Sequence, residues 1–430
     1  MKIRNPRTGL YDYQFTELSE KEIAAKCSNL LQGQQYWNAA GLDFRVNVLQ
    51  QWKSSIQLQI PALEAALIND TGRVWETKLE INLLLESIDR WCKLAATFFS
   101  PMPEKETRIP FIGLQQAWEP VELVGVISPW NFPLLLSLID TIPALLAGSA
   151  VIVKPSEVTP RFIEIINSTI SAVPDLSKVL SYVAGDGQTG AALIKYCKLI
   201  CFTGSTATGR KVYAAAAENM IPVFLELGGK DPAIVLPSAN LDQAAASICW
   251  GSTANEGQSC LSIERVYVHA SIHDAFILRL KKIAENIILN AADINEGEIG
   301  PIIFEKQVQI INHHLQDALD KGATLITGSA QCENIGGGYY CRPTILSNVN
   351  HQMKIMQEET FGPIIPVMRF ENVEEAIELA NDSIYGLSGA VFAGTTSEAM
   401  EIGKHICGGA ISINDAALTA IMHEGEKTSF

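Results

Sequence analysis

The stretch NEGQSC, Asn255 to Cys260, sets a glycine and small polar residues directly before a cysteine. An ionised thiol in such a loop is a nucleophile, whereas an apolar setting would make the same residue a space-filling hydrophobe. In LELGGKDP, Glu226 follows an apolar run and precedes Gly228 and Gly229. A carboxylate there could take a proton from water or sit in a salt bridge. GVISPWNFP places Asn131 between a strand and a helix, where backbone N–H groups are free and its side chain could also serve as a cap. VIVKPSEVTP ends a second strand with Lys154 and Glu157, and FTGSTATG ends a third with Gly204, Ser205 and Gly209. Three such strand ends suit a dinucleotide: a lysine and a carboxylate for ribose hydroxyls, and a serine at a helix N-terminus for the pyrophosphate. The G-x-G-x-x-G fingerprint is absent.

The elements that must hold these residues alternate between short β-branched runs and helical segments, which predicts parallel sheets. A first series comprises VELVGVIS, SAVIVKP, KVLSYVAG, KLICFTGS and IPVFLELGG. A second comprises DPAIVLP, ERVYVHA, ATLITGS, RPTILSN, IIPVMRF, GAVFAG and GAISIND. Ahead of them the pattern is helical from Ser19 to Phe99, opening on a capping-box pair, Ser19 and Glu22. Pro101, Pro103 and Pro110 end that region and predict an extended, hairpin-forming arm. A short helix is expected over Leu134 to Leu138.

Composition narrows the partners. The 430 residues are 47% apolar and 18% charged, enough for more than one core, and the formal charge of −15 offers no basic stripe for nucleic acid or anionic lipid. Nine cysteines at irregular spacings form no CxxC pair or Cys/His ladder, which predicts reduced thiols in a cytoplasm and no metal site. Cys197 and Cys201 read as buried strand-entry residues. The first residues lack an apolar signal core, and the longest apolar stretch, residues 132–153, carries Asp140 and two prolines, as a buried helix leading into a strand would.

Six motifs in one order, from Gly125 to Pro363, resemble the NAD(P)-dependent aldehyde dehydrogenase superfamily: the five quoted segments and EETFGP, Glu358 to Pro363. The resemblance implies an α/β fold of two parallel-sheet domains, one Rossmann-like for the cofactor and one catalytic, with a small β arm that joins protomers into a homodimer or homotetramer. The expected boundaries are 1–102 with 122–228 for the cofactor domain, 103–121 for the arm and 229–430 for the catalytic domain. It makes Cys260 the nucleophile, Glu226 the general base and Asn131 the oxyanion donor. Cofactor contacts are expected from Lys154, Glu157, Ser205, Glu359 and Phe361, with Glu359 on a ribose and Phe361 as a wall beside the nicotinamide ribose, and further from Ile127, Ser128, Pro129, Trp130, Ser156, Gly187, Phe202, Gly204, Thr208, Leu227 and Gly228. Glu359 is preferred to its neighbour Glu358 on register, and His351 is given no role.

The implied reaction is NAD-dependent oxidation of an aldehyde through a cysteine thiohemiacetal and a thioester that water cleaves, with NAD favoured over NADP because Glu157 would repel a 2′-phosphate. Leu135, Leu136, Ile139 and Phe430 are the expected lining of an apolar tunnel, although helix packing would explain the leucines equally. The stretch from residue 413 to 430 contains no arginine, which favours a neutral aliphatic or aromatic aldehyde over a semialdehyde acid. Two other readings are a coenzyme A-acylating relative and a catalytically retired nucleotide-binding or structural protein. Retention of Glu226 speaks against the first, and retention of Cys260 and Asn131 against the second. The final strand that the superfamily adds to a neighbouring protomer has no counterpart before Phe430, so a longer natural protein is expected, with a poorly ordered loop over 416–430 here.

Overall fold

The computed structural model describes residues 1–99 and 103–417. They form two compact units. The first comprises Met1–Ile3, Asp12–Asp70 and Trp75–Glu226; the second comprises Arg4–Tyr11, Thr71–Val74 and the residues from Leu227 on. Residues 4–11, 71–74 and 227–228, within the boundaries expected for the cofactor domain, belong to the second unit.

The first unit is built on a five-stranded parallel sheet in the order Leu180–Tyr182, Ala150–Lys154, Leu123–Ile127, Leu199–Thr203, Val223–Glu226. These are the five strands of the first predicted series. The three innermost carry near-continuous apolar runs such as LVGVI and AVIVK, as strands covered on both faces must. Helices Glu20–Ala39, Leu42–Leu58 and Trp75–Phe98 occupy the region read as helical. The first opens on the expected capping box, in which Ser19 N–H donates to Glu22 Oε2 at 2.8 Å. Trp37 and Trp52, on the first two of these helices, are buried with satisfied indoles: Trp37 donates to the Leu145 carbonyl at 2.8 Å and Trp52 to Thr169 Oγ1 at 2.9 Å.

Register decides what the sheet presents. Ile127 pairs with Lys154 on one side and Phe202 on the other, and Thr203 pairs with Glu226. The carboxyl ends of four strands therefore stand in one row, where ligands of open parallel sheets bind.

One expectation fails in this unit. Residues 131–140 form turns rather than a helix over Leu134 to Leu138, and regular helix begins at Thr141–Ala147. Competing partners explain it: the Leu134 and Leu135 N–H groups both donate to Glu80 Oε1, at 2.7 and 2.8 Å, and Ser137 Oγ bonds back to the Leu134 carbonyl at 2.7 Å. Pro133 contributes no donor. The arm is a hairpin of two-residue strands, Lys105–Glu106 against Gly113–Leu114, with exposed Ile109, Phe111 and Trp118. Pro101 lies outside the described residues.

The second unit holds a seven-stranded sheet in the order Thr324–Thr327, Thr344–Ser347, Ile364–Phe370, Ile263–His269, Asp231–Val235, Ser388–Phe392, Ala410–Ile413. All seven strands of the second predicted series are present. Only the edge strand Thr324–Thr327 runs antiparallel to its neighbour. Separate apolar clusters cover the two faces, one around Ile311, Met353 and Phe370, the other around Ile248, Phe276 and Phe392.

Candidate active site

In the first unit the candidate residues sit at the row of strand ends. Lys154 is buried and its Nζ lies 3.1 Å from Glu157 Oε2, while the Glu157 side chain is 38% exposed and open to a ligand. Ser205 caps the helix Thr206–Glu218, its Oγ accepting from Thr208 N–H at 3.4 Å, and Gly204 N–H donates to the Glu226 carbonyl at 3.0 Å. Gly187 begins the helix Gly187–Tyr196, and a Cβ there would meet nothing within 4 Å. Ser128 N–H donates to the Lys154 carbonyl at 3.2 Å, and its buried Oγ has no hydrogen-bond partner. A lysine, an accessible carboxylate, two helix N-termini and an orphaned hydroxyl fit a dinucleotide. Ile127, Ser156 and Phe202 are buried along this row, Pro129 and Trp130 are half-buried, and Thr208 is exposed. Asn131 is buried at the start of the turns, and the Glu226 side chain is exposed at the end of its strand. Leu135, Leu136 and Ile139 are half-buried, whereas Leu134 and Leu138 are wholly buried. Phe430 lies outside the described residues.

The second unit builds its candidate residues on distorted backbone. Three consecutive residues precede Cys260 in left-handed conformation: Asn255 (φ 57°), Glu256 (φ 56°) and Gly257 (φ 68°). Each of the two non-glycines costs on the order of 1 kcal/mol. A buried lattice holds them. Glu256 Oε1 accepts from Gly300 N–H at 2.7 Å, and its Oε2 accepts from Gln258 Nε2 at 3.1 Å and lies 3.5 Å from buried Arg73. Gln258 Oε1 accepts from Ile303 N–H at 2.9 Å, and Asn255 Nδ2 donates to the Gln258 carbonyl at 2.8 Å. Cys260 itself is half-buried, and none of the nine cysteines is in a disulfide.

Two glycines bring the motifs of this unit together. A Cβ on Gly229 would lie 2.4 Å from the Cys260 carbonyl oxygen, and one on Gly228 would lie 2.3 Å from a Glu359 carboxylate oxygen. The backbone approach at Gly229 requires glycine, whereas at Gly228 a side chain would push the Glu359 carboxylate aside. Leu227, which precedes them, is half-buried. Gly229 N–H donates to Glu359 Oε1 at 3.2 Å. Loss of solvent, then the nearby Glu264 carboxylate, pushes the Glu359 carboxyl up to about 8. Glu358 faces the other way, exposed and 2.7 Å from Lys354 Nζ, which holds its carboxyl below the usual value. Phe361 is half-buried with φ 54°.

His351 lies between Tyr267 and Asp382: its Nε2 is 2.9 Å from the Tyr267 hydroxyl and its Nδ1 is 2.6 Å from Asp382 Oδ2. Cys197 and Cys201 are buried, as expected. The residues that sequence reasoning missed are the supports: Glu80, Arg73, Glu256, Lys230 and Glu264, all buried. A signal existed for Glu80, which shares a helix face with Thr77, Ile81 and Leu84, where an acid demands a partner. Among the described residues no group of His, Cys, Asp and Glu could hold a metal ion, and no helix is long and apolar enough to cross a membrane.

The model of the aldehyde dehydrogenase family matches residues 1–430, and the chain belongs to that family. It is an oxidoreductase of that class, whose cofactor is NAD or NADP. A Mycobacterium ulcerans protein, named as a putative NADP+ succinate-semialdehyde dehydrogenase, is 32% identical over 399 residues, covering 92% of this chain and 76% of the relative. The solved structure of the putative aldehyde dehydrogenase PutA from Anabaena variabilis is 54% identical with a TM-score of 0.98, covering 100% of this chain and 92% of that one. Betaine aldehyde dehydrogenase from Staphylococcus aureus, solved in complex with NAD+, is 29% identical with a TM-score of 0.91, covering 97% and 84% respectively.

Proposed function

We propose that this chain is a hydrolytic, NAD-preferring aldehyde dehydrogenase for neutral aliphatic or aromatic aldehydes, with Cys260 as nucleophile, Glu226 as general base and Asn131 as oxyanion donor. The observation that carries this reading is the close passage of Gly229 by the Cys260 carbonyl and of Gly228 by the Glu359 carboxylate, immediately after Glu226 in the chain. One segment thereby links the proposed base, nucleophile and cofactor residue. Cys260 Sγ attacks the aldehyde carbon, and the resulting oxyanion takes hydrogen bonds from the Asn131 carboxamide and the Cys260 N–H, each contributing about 3 kcal/mol. A bound nicotinamide dinucleotide supplies the two-electron acceptor. Glu226 then takes a proton from the water that cleaves the Cys260 thioester.

The first unit is proposed as the cofactor domain, the hairpin over 103–121 as the arm of a homodimer or homotetramer, and the second unit as the catalytic domain. The cytoplasm suits nine cysteines outside any disulfide. NAD is preferred because Glu157 would face a 2′-phosphate, with Lys154 softening the repulsion. Half-buried Leu135, Leu136 and Ile139 support an apolar aldehyde. The test is a panel of acetaldehyde, long-chain, aromatic and succinate-semialdehyde substrates with either cofactor, followed by absorbance of the reduced cofactor. The reading expects higher kcat/KM with NAD and neutral aldehydes; a preference for succinate semialdehyde or NADP overturns the corresponding half. Release of free acid without added coenzyme A separates hydrolysis from acyl transfer.

A further inference from the structure

Three motif residues take no part in the reaction above: Lys230, Glu264 and Thr360. The Glu264 carboxylate is buried on the strand Ile263–His269, and both of its oxygens are committed to one loop. Oε2 accepts the Thr360 N–H at 2.7 Å and Oε1 accepts the Phe361 N–H at 2.8 Å. Lys230 Nζ, with its side chain wholly buried, lies 2.5 Å from Glu264 Oε2 and donates to Thr360 Oγ1 at 3.0 Å. His314 Nδ1 meets the same hydroxyl at 3.1 Å. Phe361 needs such a hold, because a phenylalanine at φ 54° stays left-handed only when its surroundings impose it.

A buried carboxylate that takes two consecutive backbone N–H groups fixes the orientation of both peptide planes. Those planes set the direction of the side chains on either side, Glu359 and Phe361. Lys230 supplies the countercharge without which the carboxylate would be too costly to bury. We infer that Glu264, held by Lys230, is a positioning residue that presents Glu359 and Phe361 to the nicotinamide-ribose end of the cofactor. The inference rests on the proposed role of those two residues as cofactor contacts.

The experiment compares wild type with Glu264→Gln, in which one amide oxygen replaces two carboxylate oxygens and one backbone donor loses its acceptor. Dissociation constants for NAD and for AMP are measured by titration calorimetry, together with KM for NAD, kcat, and the rate of iodoacetamide alkylation at Cys260. Glu264→Gln is expected to raise Kd and KM for NAD about tenfold, as loss of a charge-assisted hydrogen bond does. AMP affinity, alkylation rate and kcat at saturating NAD should change less than about twofold, since the adenosine end and the nucleophile loop have other supports. An unchanged NAD Kd overturns the inference, and so does a parallel loss of NAD affinity, AMP affinity and alkylation rate, which would mark a merely structural role. If Glu264→Gln does not fold, the double variant Lys230→Met with Glu264→Gln removes both charges together and must show the same split. Failure of the underlying reading is distinguishable: Glu359→Gln and Phe361→Ala would then leave NAD affinity at the wild-type value.

Discussion

The two units present their candidate residues by opposite means. In the first, Lys154 and Glu226 are the last residues of regular parallel strands, and Ser205 is the cap of the helix that follows its strand. Ordinary backbone carries them, and sheet register alone sets them in a row. In the second, Cys260 and Phe361 lie on loops containing left-handed non-glycine residues, each loop tied down by a buried carboxylate, Glu256 or Glu264. Binding an extended dinucleotide asks for several polar groups at strand-to-strand spacing, which a parallel sheet supplies. The proposed attack of one sulfur on a carbonyl carbon asks for a direction that regular structure does not offer, and left-handed backbone held by buried charge would supply it.

Substitutions can break this contrast, and the largest effect belongs to the proposed nucleophile. Cys260→Ala should lower turnover to below roughly a thousandth of wild type while leaving NAD affinity unchanged, read by reduced-cofactor absorbance and by calorimetry. Retention of a few per cent of the rate would remove Cys260 from the mechanism. For the proposed base on its plain strand end, Glu226→Gln should give one turnover of reduced cofactor per site followed by slow hydrolysis. A slow rate with no burst would move the base elsewhere.

Glycines test the backbone half of the comparison. Gly257→Ala in the second unit would place a Cβ 2.3 Å from the Gly362 carbonyl carbon at φ 68°, and is expected to cost about 2 kcal/mol or more. Gly187→Ala in the first unit, with open space around the site, should stay within about 0.5 kcal/mol of wild type. Urea unfolding of both variants decides whether strain is concentrated on the loop that carries Cys260.

Burial of charge predicts a pH trend. Glu359 is raised from 4.5 to about 8, and Asp231, by burial, from 3.8 to about 7. Each binds its proton more tightly folded than unfolded, so each contributes stability below its unfolded pKa that is lost as pH rises through the folded value. Buried Asp70 of the first unit, also raised to about 7, adds the same sign. Buried His314, lowered to about 4, has the opposite sign below about pH 6.5, so thermal midpoints should fall as pH rises from about 6.5 to 8, and Glu359→Gln should flatten that decline. An unaltered slope in the variant would show that Glu359 is ionised in the folded protein across this range.

The smallest effect concerns cofactor choice. Glu157→Ser should shift the NAD to NADP ratio of kcat/KM toward NADP by about tenfold, because a partly exposed carboxylate already paired with Lys154 repels a phosphate only modestly. No shift would place the 2′-hydroxyl elsewhere.

What was legible in the sequence follows from locality. The twelve strands of the two sheets could be read because alternation of β-branched runs with amphipathic helices is a short-range pattern, and the Ser19 and Glu22 box because its partners are three residues apart. The turns that stand where a helix over Leu134 to Leu138 is expected were not legible, because their deciding partner, Glu80, lies more than fifty residues earlier. Sequence by itself determined the strands, and it singled out Asn131, Glu226 and Cys260 as candidates by the chemistry their types allow. Tertiary structure alone decided which groups support them: Arg73, in the short break between two helices, lies beside Glu256, and Glu264 takes the N–H groups of residues almost a hundred positions away. A buried charge must find its partner in space, and chain order leaves no trace of that choice.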